Sequence, residues 1–456
     1  MTSICLFTRD LRVTDNPALA HALSQGDHVV PLFVVDEDLL AARPGSPNRI
    51  GYLLEALRDL RSTLRHLGAD LIVRRGRTAA VVAALAAESG ASTVVMAEDV
   101  TPRARGREVT LRDALAEVGT RLDTTPGVTI VPPDVVRTGS GTPYQVFTPY
   151  WRAWRDAPRR AEAPVPGLIT VPAGLDPGTI PSRAELVRGS LSPDLVAGGE
   201  GPARDRLDAW IAGDLAEYDQ GHDDPAGDRT SHLSADLHFG CLSPLEVAER
   251  CGGRPGGDAF VRQLCWRDFH HQALFHQPGI AWSDWRPRPW PLQTDDRALQ
   301  AWKEGRTGIP IVDAGMRQLL AEGWMHNRLR MIVATVLTKH LLIPWQAGAR
   351  HFLTWLVDAD VANNAANWQW VAGRGADTRP NRLMNPVRQA HKLDPSGRFV
   401  RRYVPELADV DDRDIHEPWL LGPLERAVLD YPDPIVDLTD AADRFRQVVE
   451  DGRAPS

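Results

Sequence analysis

Two short stretches hold the side chains best suited to chemistry. Trp324-Met325-His326-Asn327-Arg328-Leu329-Arg330-Met331 and Asn363-Asn364-Ala365-Ala366-Asn367-Trp368-Gln369-Trp370 combine indole faces, amides and guanidinium groups in helix-prone, otherwise apolar settings. Such a mixture suits a buried planar redox group lying beside a nucleobase: rings stack, and amides tune which redox state is stable. Just upstream, Asp358-Ala359-Asp360 adds two carboxylates, although a polar loop with Asn at turn positions would read the same way.

Three other constellations stand out. Tyr218 and Thr230-Ser231-His232-Leu233-Ser234 place hydroxyls ahead of a helical region, where side-chain and backbone donors can meet a pyrophosphate; a turn with an N-cap Ser fits equally well. In Phe260-Val261-Arg262-Gln263-Leu264-Cys265-Trp266-Arg267, Gln263 and Trp266 share a helix face, so the indole can stack on a base while the amide reads its edge. Arg374, Arg379, Arg382, Arg388, Lys392, Arg398, Arg401 and Arg402 are opposed within their stretch only by Asp377 and Asp394, which suits a phosphate backbone or a solvated basic face.

The elements that must position these groups fall into two patterns. Ile4–Phe7, Val29–Val35, Leu71–Val73 and Thr93–Met96 read as buried strands, with helical spacing over Ile50–Leu67 and Ala79–Glu88. That alternation predicts a doubly wound parallel α/β sheet. The loop after the first strand, Thr8-Arg9-Asp10-Leu11-Arg12, has no dinucleotide fingerprint. From about Thr138 to Gly201 the chain is rich in Pro, Gly, Ser and Ala and reads as a connector running over the surface. Beyond it Arg204–Ala212, Leu245–Arg250, Asp258–Phe275 and Ile311–Glu322 are helical in pattern. The expected division is an α/β domain over 1–130, a connector over 131–201 and an all-helical domain over 202–456.

With 456 residues, 43% hydrophobic and 25% charged, the chain has the composition of a soluble multidomain protein. No apolar run is long enough to span a membrane, and the early charges rule out a signal peptide at the start, so the cytoplasm is expected. Cys5, Cys241, Cys251 and Cys265 form no C-x-x-C pair, and no metal site is expected. The net charge of −8 does not advertise nucleic-acid binding, but a local patch can still bind phosphate.

These motifs together resemble the photolyase/cryptochrome family over nearly the whole chain, from Thr8-Arg9-Asp10-Leu11-Arg12 and Asp15-Asn16-Pro17-Ala18-Leu19 to His416-Glu417-Pro418-Trp419 and Asp430-Tyr431-Pro432. The resemblance implies an N-terminal antenna domain and a helical FAD domain. It implies light-driven repair of cyclobutane pyrimidine dimers by a class I enzyme, through electron transfer from excited reduced FAD to a flipped-out dimer. By resemblance, FAD is bound by Tyr218, Thr230, Ser231, His232, Leu233, Ser234, Phe260, Arg330, Asp358, Asp360 and Asn364. Asn364 lies near flavin N5, and Asp358 pairs with Arg330. The lesion and DNA face Gln263, Trp266, Arg267, Asn327, Arg328, Met331, Trp370, Arg382 and Gln389. Trp368 and Trp345 match the proximal and middle members of an electron relay, and Trp290 stands two residues early for the distal one.

Two departures matter: His232 replaces the usual Arg, and Gln263 replaces the Glu of most cyclobutane-dimer enzymes. Six-four enzymes usually have His at the positions of Asn327 and Met331, so this pair outweighs Gln263 in choosing the lesion. The lack of cysteines beyond Cys265 argues against the family's iron–sulfur branch. The rival readings are a cryptochrome-type photoreceptor, disfavoured because no long tail follows the family core, and a six-four photolyase. The Arg-, Ala-, Gly- and Pro-rich composition suggests GC-rich coding of the actinobacterial kind. That favours a hydroxy-deazaflavin antenna over methenyltetrahydrofolate, with Asp99 as a contact. Ultraviolet-damaged DNA is the expected partner, with no obligate protein partner and a monomeric state.

Overall fold

The computed structural model describes residues 1–37 and 46–452. Five parallel strands, β1 (Thr2–Phe7), β2 (His28–Asp36), β3 (Ile72–Gly76), β4 (Ala91–Ala97) and β5 (Arg121–Thr125), form one sheet in the order β3-β2-β1-β4-β5. β1 lies at the centre, where Ile4 pairs with Val30 on one side and Val94 on the other. The crossover helices are α1 (Pro17–Ser24), α2 (Pro47–His66), α3 (Thr78–Ser89) and α4 (Pro102–Glu117). The four expected strands form, as does the doubly wound architecture. The fifth strand was not expected: Arg-Leu-Asp-Thr-Thr at a sheet edge buries only Leu122 fully and carries no apolar run.

One face of the sheet is sealed by α3 and α4 through Leu6, Leu32, Val82, Leu85, Leu111 and Leu115. The opposite face packs Cys5, Phe7 and Phe33 into a core continuous with the helical part, including Phe239, Leu264 and Phe269. The four cysteines are buried and free. Among the described residues no helix is long and apolar enough to cross a membrane.

The connector is not confined to the surface. Phe147–Asp156 forms a helix, α5, whose Phe147, Tyr150 and Trp154 are buried. Pro and Gly around it hid a 3.6-residue aromatic spacing. Helices α6 (Glu200–Ala212), α7 (Ser234–Phe239), α8 (Gly257–His276), α9 (Asp296–Glu304), α10 (Pro310–Glu322), α11 (Asn327–Thr335), α12 (Trp345–Trp355), α13 (Val361–Ala372), α14 (Pro386–Leu393) and α15 (Leu438–Asp451) supply the frame around the site. A second core of Trp302, Ile311, Leu329, Phe352 and Trp368 lies within it.

Asp268 of α8 ties the connector to that frame. Its Oδ2 accepts from Ile130 N and Val131 N at 3.0 Å each and from Trp154 Nε1 at 2.9 Å. Burial pushes its pKa up, opposed by Arg267 and these hydrogen bonds. Three buried donors therefore depend on one oxygen. Asp268→Ala is expected to cost about 3 kcal/mol or more, since each unmet buried donor costs about 1–3 kcal/mol. Asp268→Asn keeps an oxygen for the same donors and should cost less than half as much in denaturant unfolding.

Candidate flavin and nucleic-acid site

Three segments distant in sequence are joined around the Thr230–Ser234 loop. Tyr218 is buried, and its ring meets Phe260 of α8 edge-on at 5.5 Å and Trp210 of α6 at 5.8 Å. Burial pushes the Tyr218 phenol up to about 12, so it stays a neutral donor. His232 has φ 51, an uncommon left-handed conformation, held by Asp228 Oδ1 at 2.6 Å from Nε2 and by Trp324 packed 4.0 Å from its ring centre. Trp324 Nε1 donates to Ser234 Oγ at 3.3 Å. Ser231 Oγ accepts from Leu233 N at 3.4 Å, and Leu233 is itself a core residue. Thr230 Oγ1 is buried without a partner in the protein. A buried orphan hydroxyl in a hydroxyl-rich turn, whose Leu233 shares a core with Tyr218 and Phe260, fits a phosphate-bearing ligand with a planar ring.

The next layer is ionic. Arg328 of α11 grips both carboxylate oxygens of Asp223, with Nε at 3.0 Å from Oδ1, which fixes the 218–223 turn against α11. Burial raises the Asp223 pKa, but the hydrogen bonds and charge of Arg328 outweigh it and hold the group below the usual carboxylate range. Arg330 pairs with Asp358 at 2.8 and 3.2 Å and donates to Met325 O at 2.8 Å. Asp360 caps α13: its Oδ1 accepts from Asn363 N and Nδ2 at 2.9 Å. Its Oδ2 receives Arg9 from the end of β1 at 2.7 Å, with His271 Nε2 at 3.5 Å. Burial opposes ionisation of Asp360, yet His271, Arg9 and Arg267 together hold it well below the usual range.

Asn364 Nδ2 donates to Ala349 O at 3.1 Å, and His270 Nδ1 meets Asn363 Oδ1 at 2.9 Å. Trp368 is buried among Trp302 at 6.0 Å and Phe352 at 5.0 Å. Its ring lies against Gly348 of α12, where a Cβ would come within 2.1 Å of Cη2. Trp345, 2% exposed, donates Nε1 to Asp284 Oδ1 at 2.8 Å. Trp290 packs edge-on against Phe445 at 5.6 Å.

Several expected lesion contacts have other partners. Arg267, expected at the DNA, is turned inward, donating to Val128 O at 2.6 Å and Leu237 O at 3.3 Å. Arg328 is likewise committed to Asp223. One face of Trp266 is covered by Phe147, stacked at 3.6 Å with a 7° tilt. Gln263 and Asn327 are exposed, and Met331 is half-buried with its sulfur 3.9 Å from Arg328 Nη1. Arg382 is exposed and stands over the Trp370 ring at 5.8 Å; Gln389 is half-buried on α14.

The basic stretch does not form one patch. Arg374 is buried on Asp284, and Arg401 is spent on Asp412 and the carbonyls of Ser396 and Val410, while Arg379, Arg388, Lys392 and Arg398 are exposed. Asp99, expected at an antenna chromophore, faces Arg9 at 3.3 Å and caps Thr101 N at 2.8 Å. Arg9, Asp223 and Asp284 were not anticipated as site residues. Their partners lie 351, 105 and 61 residues away, so no local spacing marks them.

A flavin-type nucleotide site in a helical domain, locked to a parallel-sheet domain, matches the known families. Residues 3–168 match the DNA photolyase model, and residues 260–451 match the FAD binding domain of DNA photolyase. The chain is 49% identical to the deoxyribodipyrimidine photo-lyase of Streptomyces griseus, with 98% of each covered. A bacterial class III photolyase from Agrobacterium tumefaciens superposes with TM-score 0.92 at 36% identity, covering 99% of this chain and 98% of that one. An archaeal photolyase from Sulfolobus tokodaii, described with two FAD molecules, superposes at 0.87 and 29% identity, covering 99% and 100%. These matches define a two-domain flavoprotein with an FAD-binding helical domain. The chain belongs to the photolyase/cryptochrome family.

His326 makes the site acid-sensitive. Its Nδ1 accepts from Arg328 N at 3.2 Å and so caps α11, and burial pushes its pKa from 6.5 down to about 4. The folded protein then holds fewer protons than the unfolded chain between those values. Stability that is full above pH 6.5 is lost as pH falls toward 4. His326→Asn retains a capping acceptor without the titration. Between pH 8 and pH 5 the parent should lose about 2 kcal/mol more than this variant in denaturant melts.

Proposed function

We propose that this protein is a class I photolyase that uses light to split cyclobutane pyrimidine dimers in ultraviolet-damaged DNA. The observation that carries the choice of lesion is the turn at the start of α11, where an exposed amide, Asn327, and a half-buried thioether, Met331, stand one helical turn apart. Neither can deliver the proton that a six-four mechanism requires. Identity of 49% across 98% of the length of a deoxyribodipyrimidine photo-lyase supports the same reading.

The chemistry that reduced FAD supplies when bound is light-driven donation of an electron to the dimer and its return. The chain's residues bind, orient and insulate. Thr230, Ser231 and Ser234 offer hydroxyls to the pyrophosphate, with Tyr218 and Phe260 walling the nucleotide. His232 and Leu233 shape the loop, and the Arg330–Asp358 pair and Asp360 fix the turn that leads into α13. Asn364 has its Nδ2 tied to Ala349 O, which leaves Oδ1 as an acceptor, the group that the N5–H of a reduced ring needs. Trp368 and Trp345 serve to recharge the cofactor, with Trp290 as their outer neighbour.

On the DNA side, Gln263 and the open face of Trp266 meet a flipped-out dimer, and extrusion costs a few kcal/mol, less for a damaged pair. Arg382, with Gln389 and the exposed Arg379, Arg388, Lys392 and Arg398, contacts phosphates, and binding weakens as salt rises. The protein acts in the cytoplasm as a monomer, with hydroxy-deazaflavin in the antenna domain in preference to methenyltetrahydrofolate.

Under blue or near-ultraviolet light the FAD-loaded protein should restore cyclobutane dimers in oligonucleotides and leave six-four photoproducts intact. Six-four repair without dimer repair reverses the lesion assignment, and flavin photochemistry without repair of either indicates a photoreceptor.

Gln263→Ala should lower dimer affinity or repair yield several-fold, because a lesion carbonyl loses its donor. Gln263→Glu should bring in a pH dependence that Gln lacks, since a Glu donates only when protonated. Equal repair by Gln263→Ala under matched light would show that this face of α8 does not touch the lesion.

A further inference from the structure

The protein has three lysines, Lys303, Lys339 and Lys392, and Lys339 is only 2% exposed. It lies on Val336–His340, a π-helical turn that continues α11. Such turns are rare and gather at functional sites. Its ammonium has carbonyls for partners, not a carboxylate. Nζ donates to Pro380 O at 2.9 Å and to Arg382 O at 2.6 Å, and it stands 5.5 Å from the ring centre of Phe445 on α15. Burying an ammonium is costly, and nothing in the light chemistry uses this one.

Both carbonyls belong to the turn between α13 and α14. Asp377, itself buried, fixes that turn by accepting from Arg379 N at 2.8 Å, and Arg382 N donates to Arg379 O at 3.0 Å. The turn lies close on the end of α13: a Cβ at Gly373 would come within 2.5 Å of Pro380 O. Its backbone therefore faces inward onto Lys339, while the side chains of Arg379 and Arg382 are exposed. With Arg288 they line one cavity of about 600 Å³. A guanidinium on a flexible stem is aimed only as well as the backbone that carries it.

We propose that Lys339 is a positioning residue for the DNA backbone: its ammonium holds the 379–382 turn from within, and so aims Arg379 and Arg382 at phosphates that it does not touch itself. The inference rests on the reading of those two arginines as phosphate contacts. A charge-assisted bond to each carbonyl fixes the turn before DNA arrives, so less order has to be imposed on binding. Without it the same guanidiniums remain but point over a wider range. Burial lowers the Lys339 pKa to about 8, opposed by Asp377 and reinforced by Arg382. Next to it, burial holds His340 neutral with a pKa of about 4, and Arg444 of α15 donates to His340 O at 3.1 Å. Above pH 8 the amine of the free protein is neutral, and its bonds lose their charge assistance. Nearby phosphates favour the charged form. DNA binding therefore takes up protons and weakens as pH rises through 8.

The test is binding of the FAD-loaded protein, in the dark, to a dye-labelled duplex carrying one cyclobutane thymine dimer, with flavin content checked for each variant. Arg379→Ala/Arg382→Ala should weaken binding and lower the slope of log affinity against log salt by about two. Lys339→Met should weaken binding about fivefold in the parent, but less than about twofold in the double-alanine background, where the groups it aims are gone. No loss in the parent, or an equal loss in both backgrounds, overturns the proposal. If the double-alanine protein binds like the parent, the phosphate reading of the arginines has failed, and this inference falls with it. Should Lys339→Met not fold, the pH profile decides. From pH 7 to pH 9 the parent should lose about fivefold more affinity than the double-alanine protein, which retains Lys392, since arginines keep their charge over that range. Parallel profiles overturn the proposal.

Discussion

Asp360 is the interaction on which the rest of the structure leans. A carboxylate buried this fully survives as an anion only if cations surround it, and removing one member of such a set is more damaging than never having built it. Here the cations come from different parts of the chain. Arg9 leaves the central strand of the sheet, and Arg267 lies on α8, where His271 also approaches the carboxylate. The same carboxylate starts α13, the helix that carries Asn363, Asn364, Trp368 and Trp370. The docking of the two domains and the placement of α13 are thus one electrostatic event. Asp99, on the other side of Arg9, fixes the guanidinium from the sheet.

Much of the fold was legible in the sequence, for a physical reason. Central parallel strands are buried on both faces, so β1, β2 and β4 appear as unbroken apolar runs, and long amphipathic helices such as α8 and α10 announce themselves by period. Edge strand β5 and helix α4 did not, because each buries only one or two side chains: Leu122 in the strand, Leu111 and Leu115 in the helix. The aromatic helix α5 was lost among prolines and glycines, although its Tyr150 and Trp154 are fully buried.

The site shows a sharper division. Residue types suited to a ligand were visible, because amides, indoles and hydroxyls are unusual in apolar helices. What each side chain would do once folded was less visible. Arg267 and Arg328 looked like DNA contacts, yet one satisfies interior carbonyls and the other an aspartate 105 residues away. A guanidinium has five donors, and local sequence does not say where they go. The pairing of Arg330 with Asp358, 28 residues apart, follows from family resemblance; Arg9 with Asp360 and Arg374 with Asp284 required the fold.

The contact between Trp368 and Gly348 carries a consequence for the electron relay proposed above. Gly348 sits one turn beyond Trp345 on α12, and the missing side chain lets the Trp368 ring rest on the helix backbone itself. In that proposed relay the two indoles are linked by one van der Waals step followed by three residues of covalent backbone, and covalent bonds attenuate an electronic wavefunction far less than empty space does. A glycine that looks like a packing concession is then a coupling element, bearing on the electronic distance between two rings while the helices set their geometric distance.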